Sequence, residues 1–401
     1  MIDLEIIAGL ANKTESRIVQ LVLDGLGGLP HPDTGKTELE TARTPNFDKL
    51  ANEGACGLSD PVNPGITPGS GPGHLSLFGY DPISYQVGRG VLEALGMDFE
   101  LIPGDVAARC NYCTVDENGV ITDRRAGRIP SEVNAGLCEK LRAIRLEGID
   151  LFIMPGKEHR FAVVFRGAGL KGTVNDTDPQ RTGVKPKEAQ GISPEGKKLA
   201  DTVNEFVSQA RSILKDSHPA NMILFRGISQ RPDLPLMGDV FKLEPAAIAT
   251  YPMYRGLAKL VGMQVLATGT TFEDELSTLK ENWADHDFFY VHVKQTDSSG
   301  EDGDFERKVR VIEEVDSSLP KLIDLRPEVL LVTGDHSTPA VIKGHSWHPV
   351  PLLLHSQYCR RDNANEFSET ACITGGLGRI QAVDMMPLAL ANALKLSKFG
   401  A

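Results

Sequence analysis

Short apolar runs recur along the chain, and each ends in a polar residue or a glycine turn. The runs are Ile18–Leu23, Phe288–Val293, Val329–Thr333 and Val350–Leu354. Continuous apolar runs of this length are typical of parallel strands that are buried on both faces of a sheet. Helix-like segments lie between them, notably Phe272–Asn282 and Phe305–Leu319, with Pro320 expected to end or kink the second. The alternation of strand and helix predicts an α/β fold with a doubly wound sheet.

The middle of the chain has a different character, because it is rich in basic residues and turn formers. Gly172–Gly196 is predicted to form a long exposed loop that leads into an amphipathic helix at Lys197–Leu214. We therefore place a smaller inserted α+β domain at residues 105–235. Residues 1–104 and 236–401 are then expected to form one discontinuous sheet domain.

Composition excludes several classes of protein. The chain has 401 residues and a formal net charge of −12, which argues against a nucleic-acid surface because phosphate backbones require a clustered positive field. No apolar run approaches the roughly 20 residues that span a bilayer, and the N-terminus lacks a basic lead into an apolar stretch. We therefore expect no nucleic-acid or membrane partner and a cytoplasmic location. The 6 cysteines are scattered, and we interpret them as reduced structural thiols.

Polar residues closely follow three of the apolar runs, and one further histidine lies just before the run Val350–Leu354. They are Asp24, Asp297, the pair Asp335 and His336, and His345. A single aspartate after a strand is most simply a helix cap. Ligands of open α/β sheets gather beyond the carboxyl ends of the strands, and carboxylates with imidazoles are suitable ligands for Mn²⁺, Zn²⁺ or Mg²⁺. The whole set therefore predicts a centre with two metal ions, which suits phosphoryl transfer.

Ser70 lies among glycines in the stretch ITPGSGPGHLSLFGYDP. Glycines allow the backbone to approach a phosphate closely, and a helix predicted to begin near His74 would direct its positive end there. A serine hydroxyl needs a base or a metal to become a good nucleophile, and the predicted metal centre would supply that activation. The alternative is a plain loop, because GSGPGH matches neither the Walker A pattern nor the dinucleotide-binding pattern.

Taken in order, these motifs resemble one known family. Asp24 lies in LDGLGG, Ser70 in GSGPGH, Asp297 in KQTDSSGEDGDF, Asp335 and His336 in TGDHSTP, and His345 in HSWHPVP. This set resembles the cofactor-independent phosphoglycerate mutases of the archaeal type, in the alkaline phosphatase superfamily. The resemblance implies an alkaline-phosphatase-like sheet domain, an inserted substrate-binding domain and two divalent ions, Mn²⁺ or Mg²⁺ with Zn²⁺ as an alternative. It also implies interconversion of 3-phosphoglycerate and 2-phosphoglycerate through a phosphoserine at Ser70.

The resemblance also assigns the ligands of the two ions. One ion would be held by Asp24, Ser70, Asp335 and His336, and the other by Asp297, Glu301 and His345. Family members usually have a histidine four residues after the second aspartate, where this chain has Glu301. An added carboxylate hardens the ligand set towards Mg²⁺ or Mn²⁺. His348 is a second difference, for which we expect a surface or supporting role.

A basic segment of the predicted insert resembles the substrate-binding segment of the family. Arginine suits bidentate contacts with carboxylate and phosphate groups, and Asp123 is expected to orient the neighbouring guanidinium groups. The alternative is a solvated basic turn. The predicted substrate-binding residues are Arg109, Asp123, Arg124, Arg125, Arg128, His159 and Arg160.

Two alternatives to a mutase stay open at the level of sequence. The first is a related metal-dependent phosphotransferase or phosphatase acting on another small phosphomonoester, for example a homoserine kinase-like enzyme. The second is a non-catalytic paralogue, with Glu301 as a sign of a degenerate metal site. Nucleotide dependence, release of phosphate or absence of bound metal would distinguish these from a mutase. A small phosphorylated carboxylate is the expected substrate, and a monomer or small homo-oligomer is the expected assembly.

Overall fold

The computed structural model describes residues 3–400. Strands and helices are numbered here in chain order. The strands are β1 (Ile18–Leu23), β2 (Ala55–Asp60), β3 (Val106–Val115), β4 (Ile121–Asp123), β5 (Asp150–Pro155), β6 (Arg160–Arg166), β7 (Met222–Gln230), β8 (Pro245–Ile248), β9 (Gln264–Val265), β10 (Phe288–Val293), β11 (Val329–Thr333), β12 (Val350–Ser356) and β13 (Gly378–Gln381). The α-helices are α1 (Leu4–Leu10), α2 (Glu38–Thr41), α3 (Pro45–Glu53), α4 (Ser70–Leu77), α5 (Arg89–Gly96), α6 (Ser131–Leu141), α7 (Lys197–Leu214), α8 (Met237–Phe241), α9 (Pro252–Leu260), α10 (Phe272–Glu281), α11 (Gln295–Asp302), α12 (Phe305–Ile323), α13 (Glu369–Ile373) and α14 (Met385–Asn392).

The chain divides into two compact units. Unit 1 contains the described residues of 1–86 and 234–401, and unit 2 contains residues 87–233. The sheet of unit 1 has the strand order β13-β2-β12-β11-β1-β10-β8-β9. Strand β1 pairs in parallel with β10 and β11, and β10 pairs in parallel with β8. The carboxyl ends of these neighbouring strands therefore meet at one edge of the sheet.

Both faces of this sheet are covered, which explains why its strands are apolar throughout. On one face, Val19, Leu21 and the alternate residues of neighbouring strands pack against α2, α3, α10 and α12 in a single buried cluster. On the other face, Phe78 directly after α4 and Tyr254 of α9 contact Tyr290 and His292 of β10 with their rings. The predicted doubly wound α/β class is confirmed.

Three details of the predicted elements were wrong. Strand β12 is antiparallel to both of its neighbours, because the segment from β11 to β12 turns back without a crossover helix. Pro320 does not end α12, which continues to Ile323, so of the two effects predicted for this proline the termination was wrong. Helix α4 begins at Ser70 rather than near His74, so the serine occupies the first turn.

Unit 2 has an antiparallel sheet in which β3 is paired with β4, β6 and β7, and β5 extends it beyond β6. One face of this sheet packs against α6 and α7 and forms a core of its own. Helix α7 spans the predicted range. The loop at 172–196 is less exposed than predicted, because Thr177 and Asp178 are buried against β7, where Thr177 Oγ1 accepts the Phe225 N–H at 2.8 Å.

The cysteines are all free, and five of the six are buried, as predicted for structural thiols. Among residues 3–400, none of the helices combines the length and the apolar character that a membrane crossing needs.

Candidate active site

Four of the predicted site residues meet around one ring nitrogen in unit 1. His336 Nε2 lies 3.2 Å from Ser70 Oγ, 3.3 Å from Asp24 Oδ1 and 3.2 Å from Asp335 Oδ2. Asp24, Asp335 and His336 are completely buried, and Ser70 is half-buried. Side chains separated by hundreds of residues in sequence therefore converge on one point.

The sheet and one helix explain this convergence. Asp24 follows β1, and Asp335 and His336 follow the adjacent parallel strand β11, so the three residues emerge at the same edge. Ser70 begins α4, which passes very close to the Asp335 main chain at Gly73. A Cβ at position 73 would lie 2.2 Å from the Asp335 carbonyl oxygen, so glycine is required there. The glycine-rich sequence thus allows α4 to bring the serine to the ligand residues.

The unpaired atoms of this group fit a cation. Asp24 Oδ1 and Asp335 Oδ2 are buried and have no hydrogen-bond partner among residues 3–400, although His336 Nε2 is close to both. Buried carboxylate oxygens without partners are unfavourable unless a charge or donor compensates them. Asp24, Asp335 and His336 offer ligand atoms within 4.8 Å of one another, which is a plausible coordination set for one divalent ion.

A second group lies beside the first. Asp297, His336 and His345 also offer ligand atoms within 4.8 Å of one another, and the two imidazole rings stack at 3.7 Å. Glu301 Oε1 lies 3.8 Å from His345 Nε2, but its side chain is 56% exposed. The predicted second set of Asp297, Glu301 and His345 is therefore assembled around His345, with Glu301 on the solvent side.

The two buried carboxyl groups of the first group have pKa values that are shifted in opposite directions. Burial and the nearby Asp24 raise the pKa of Asp335 well above its ordinary value. Burial also opposes ionisation of Asp24, but the adjacent His292 and the charge of Lys294 outweigh this and hold the pKa of Asp24 well below the usual range. Two carboxylates this close resist joint ionisation unless a cation lies between them.

Three further side chains, which the sequence-based hypothesis missed, surround Asp24. Tyr254 donates a hydrogen bond to Asp24 Oδ2, Lys294 Nζ lies 3.0 Å from the same oxygen, and His292 Nε2 lies 3.3 Å from it. Lys294 Nζ also contacts Asp297 Oδ2 at 2.5 Å, so it joins the two groups. Lys294 directly follows β10, and attention to every polar residue at a strand end would have found it. Tyr254 and His292 lie inside apolar elements and give no such signal.

Charged residues of unit 2 line the sheet face opposite its core. Arg109 and Asn111 of β3 are buried, and the register places Arg226 of β7 beside Arg109 and Arg160 of β6 beside Asn111. Burial and the charge of Arg89 lower the pKa of Arg109 to about 10. Among residues 3–400, neither Arg109 Nε nor Arg160 Nε has a hydrogen-bond partner. We call Arg89, Arg109, Arg160 and Arg226 the arginine cluster.

His159 adjoins this cluster, and burial together with the charge of Arg160 lowers its pKa to about 4. The other predicted substrate residues have different surroundings. Arg124 forms a bidentate pair with Asp178, at 3.0 and 2.7 Å. The Asp123 carboxylate accepts the main-chain N–H groups of Arg125 and Gly127 rather than a guanidinium hydrogen bond. Arg125 and Arg128 are exposed.

His348 contacts its own loop. Its Nδ1 lies 3.0 Å from Ser346 Oγ, and its ring stacks on Trp347. Its main-chain oxygen accepts a hydrogen bond from Ser337 Oγ at 3.0 Å, next to His336. These contacts agree with the supporting role expected for His348.

Comparison with known proteins identifies the family. The chain is 52% identical over 408 aligned positions to a protein of Aquifex aeolicus named probable 2,3-bisphosphoglycerate-independent phosphoglycerate mutase, covering 99% of this chain and 100% of that protein. The chain belongs to the 2,3-bisphosphoglycerate-independent phosphoglycerate mutase family. The profile of this family matches residues 51–221.

Solved structures agree with this membership in the mutase family. The cofactor-independent phosphoglycerate mutase of Thermoplasma acidophilum is 30% identical, with a TM-score of 0.75 over 94% of this chain and 100% of that one. The PH0037 protein of Pyrococcus horikoshii is also 30% identical, with a TM-score of 0.84 over 97% of this chain and 100% of that one. The predicted family and its fold are therefore confirmed.

Proposed function

We propose that this chain interconverts 3-phosphoglycerate and 2-phosphoglycerate, with Ser70 as the nucleophile and two divalent cations as cofactors. The observation that carries the proposal is the convergence of oxygen atoms of Ser70, Asp24 and Asp335 within 3.3 Å of His336 Nε2. A nucleophilic oxygen beside uncompensated carboxylates suits transfer of a highly anionic group only when cations are present. The assigned ligands are Asp24, Ser70, Asp335 and His336 for one ion, and Asp297, Glu301 and His345 for the other.

When bound, the ions would favour the alkoxide form of Ser70 and neutralise charge on the transferred phosphoryl group. The protein's own groups position the nucleophile. Ser70 lies at the amino end of α4, whose free N–H groups and helix dipole favour a phosphate on that residue. Tyr254 donates a hydrogen bond to Asp24 Oδ2 and so holds this carboxylate in place beside the serine.

The reaction then consists of two displacements at phosphorus. Ser70 Oγ forms a bond to phosphorus while the bond to the substrate oxygen breaks, which leaves phosphoserine and glycerate. The other glycerate hydroxyl next attacks the phosphoserine, and Ser70 Oγ is released. No bisphosphoglycerate is required, because the phosphoryl group returns to the molecule from which it came.

The arginine cluster is proposed to bind the anionic groups of the substrate. Arg109 is a buried cation whose Nε has no hydrogen-bond partner among the described residues, a costly arrangement that an anionic ligand would relieve. Guanidinium groups match the geometry of carboxylate and phosphate. Of the seven predicted substrate-binding residues, Arg109, His159 and Arg160 belong to this proposed site. Arg89 and Arg226 are additions to it.

One assay tests the proposed activity. Conversion of 3-phosphoglycerate to 2-phosphoglycerate is followed with added Mn²⁺, in the absence of bisphosphoglycerate and after removal of contaminating mutase. We expect product in this assay and none after chelation. Inorganic phosphate without 2-phosphoglycerate would instead indicate a phosphatase, and strict dependence on a nucleotide would indicate a kinase.

Replacement of Arg109 with methionine is expected to weaken substrate binding. A charge-assisted hydrogen bond contributes about 1.5–3 kcal/mol, so KM for 3-phosphoglycerate should rise by ~10–100-fold. Steady-state kinetics measure this change. Arg166→Met is the matched control, because Arg166 lies in the same sheet but is paired with Asp105 at 2.8 Å. An equal rise of KM in both variants would contradict the specific role of Arg109.

Replacement of Glu301 with histidine is expected to change the metal preference. The glutamate adds an oxygen ligand and negative charge beside His345, which favours Mn²⁺ or Mg²⁺ over softer ions. We expect Glu301→His to shift the ratio of Mn²⁺ to Zn²⁺ affinity by ~10-fold towards Zn²⁺, on the scale typical of changes near metal ligands. Competition calorimetry measures the ratio. Glu306→His, on the exposed start of α12, is the control and should leave it unchanged.

A further inference from the structure

Lys308 is a buried lysine whose ammonium group lies close to the candidate active site. Lys308 lies in α12 and is completely buried. Its Nζ donates hydrogen bonds to three main-chain carbonyl oxygens, those of Gly25 at 2.9 Å, Gly27 at 3.1 Å and Thr338 at 2.9 Å. One carboxylate oxygen, Glu38 Oε1, lies 3.9 Å away. The ammonium group is thus enclosed by oxygen atoms and has no access to water.

The three carbonyls belong to the two loops that carry the assigned ligands. Gly25 and Gly27 follow Asp24, and Thr338 follows His336. Thr338 Oγ1 donates to Asp297 Oδ1 at 2.6 Å and lies 2.9 Å from His336 Nδ1. A displacement of Thr338 would therefore move contacts to both candidate metal groups at once.

The same two loops are also tied directly to each other. The N–H of Thr338 donates to the Gly25 and Gly27 carbonyls at 3.2 and 3.1 Å, and Gly25 N–H donates to Asp335 Oδ1 at 3.1 Å. Gly25 has a φ of +64°, and a Cβ there would lie 2.5 Å from Thr338 Oγ1. The loops are consequently close packed, with carbonyl oxygens of both directed towards the Lys308 ammonium group.

Burial of an ammonium group is energetically unfavourable unless the surrounding groups interact with its charge. Removal of an amine from water lowers its pKa, and burial does so for Lys308, against the opposing charge of Glu38. Several carbonyl oxygens around one point form the kind of site in which K⁺ channels hold their ion. An ammonium group resembles K⁺ in size and charge, so the lysine fills a place whose donors suit a monovalent cation.

We propose that Lys308 is a built-in monovalent cation that fixes the two ligand loops in the arrangement that binds the divalent ions. It is a positioning residue, since it touches no assigned ligand side chain and acts through the Gly25, Gly27 and Thr338 carbonyls. The inference rests on the metal-dependent function proposed above. Its chemistry predicts that free K⁺ or NH₄⁺ can replace the side chain when the lysine is shortened.

The test measures Mn²⁺ affinity by calorimetry for the full chain in KCl and in choline chloride of equal ionic strength. In choline chloride, Lys308→Ala should bind Mn²⁺ ~10–100-fold more weakly than the wild type, the usual scale for loss of a group that orients metal ligands. In KCl or NH₄Cl its affinity should return to within a few-fold of the wild type. Lys308→Met should be equally weak in all these salts, because its side chain still fills the space and carries no charge.

Lys395 provides a matched control. It is also completely buried and donates to one carbonyl, that of Thr14 at 3.0 Å, and to Asp287 at 2.8 Å. Those partners precede β1 and β10, so they lie at the opposite edge of the sheet from the ligands. Lys395→Ala should lower thermal stability without altering Mn²⁺ affinity and without any response to K⁺.

The outcomes separate this inference from the proposed function. A wild-type chain that binds no Mn²⁺ would refute the metal-dependent function itself. Wild-type binding together with unchanged affinity in Lys308→Ala, or a loss that K⁺ and NH₄⁺ do not reverse, would refute only the role of Lys308. If Lys308→Ala does not fold in choline chloride, circular dichroism becomes the readout: folding restored by K⁺ supports the inference, and failure to fold in K⁺ overturns it.

Discussion

Replacement of Ser70 with alanine is expected to lower mutase turnover by a factor on the order of 10⁵–10⁶, the loss seen when a serine enzyme is deprived of its nucleophile. The hydroxyl is the only atom of Ser70 that can carry the phosphoryl group between the two hydroxyls of the substrate. Mn²⁺ affinity should be largely retained, because Asp24, Asp335 and His336 remain as ligands. Turnover is measured in the coupled assay, and metal affinity by calorimetry on the same preparation.

Ser76→Ala is the control for this experiment. Ser76 lies in the same helix and is buried, but its hydroxyl donates to the Pro61 carbonyl at 2.5 Å and has no part in the proposed chemistry. It should retain turnover even if stability falls by about 1 kcal/mol. With ³²P-labelled substrate, phosphoprotein should form in wild type and Ser76→Ala only. Turnover close to wild type in Ser70→Ala would end the proposal of a phosphoserine intermediate.

The sequence predicted the central strands well because burial on both faces makes them uniformly apolar. The bounds of β1, β10 and β11 agree with the predicted runs. Strand direction was harder to predict, since β12 is as apolar as the parallel strands β1, β10 and β11 but runs antiparallel to β11. Strand direction depends on the connection that precedes it, and the segment between β11 and β12 carries no periodic pattern that distinguishes a crossover from a return.

The assigned ligands were visible in sequence because a strand end is a local feature. Asp24, Asp297, Asp335 and His336 all follow strands, so the parallel topology brings them together. The groups that surround them could not be found in this way. His292 faces the site from within the apolar strand β10, and Lys308 does so from the amphipathic helix α12. A polar residue in such an element is normally interpreted as a surface position.

The same limit applies to the arginine cluster of unit 2. The sequence drew attention to three arginines that are close together, Arg124, Arg125 and Arg128. Arg124 is paired with Asp178, however, and the other two are exposed. Arg226 was missed because it stands alone in β7, and only the pairing register of β3 with β7 places it beside Arg109. Cross-strand neighbours require a register, which the sequence does not specify without the turn geometry.

Replacement of Asp335 with asparagine is expected to have opposite effects on the metal-free and the metal-loaded protein. Without metal, the folded chain holds the pKa of Asp335 far above its ordinary value, whereas the unfolded chain ionises it near pH 4. Ionisation therefore stabilises the unfolded state as the pH rises above 4, and the folded protein loses stability. Asparagine removes this penalty, and its amide can still accept the Gly25 N–H. The melting temperature in chelator at pH 7 should thus rise, by about 2 °C or more.

With Mn²⁺ the sign reverses, because the charge that destabilises the metal-free fold is the one that binds the ion. Asp335→Asn should lose most of the thermal stabilisation by Mn²⁺, and turnover should fall by ~10³-fold or more, equivalent to several kcal/mol of transition-state stabilisation. Asp316→Asn is the control: Asp316 is buried but accepts the N–H groups of Asn46 and Phe47 at the start of α3. That variant should be less stable with and without metal and should keep its response to Mn²⁺. A normal Mn²⁺ response in Asp335→Asn would mean that the carboxylate is not a ligand, since only a ligand carboxylate can be unfavourable without the ion and required with it.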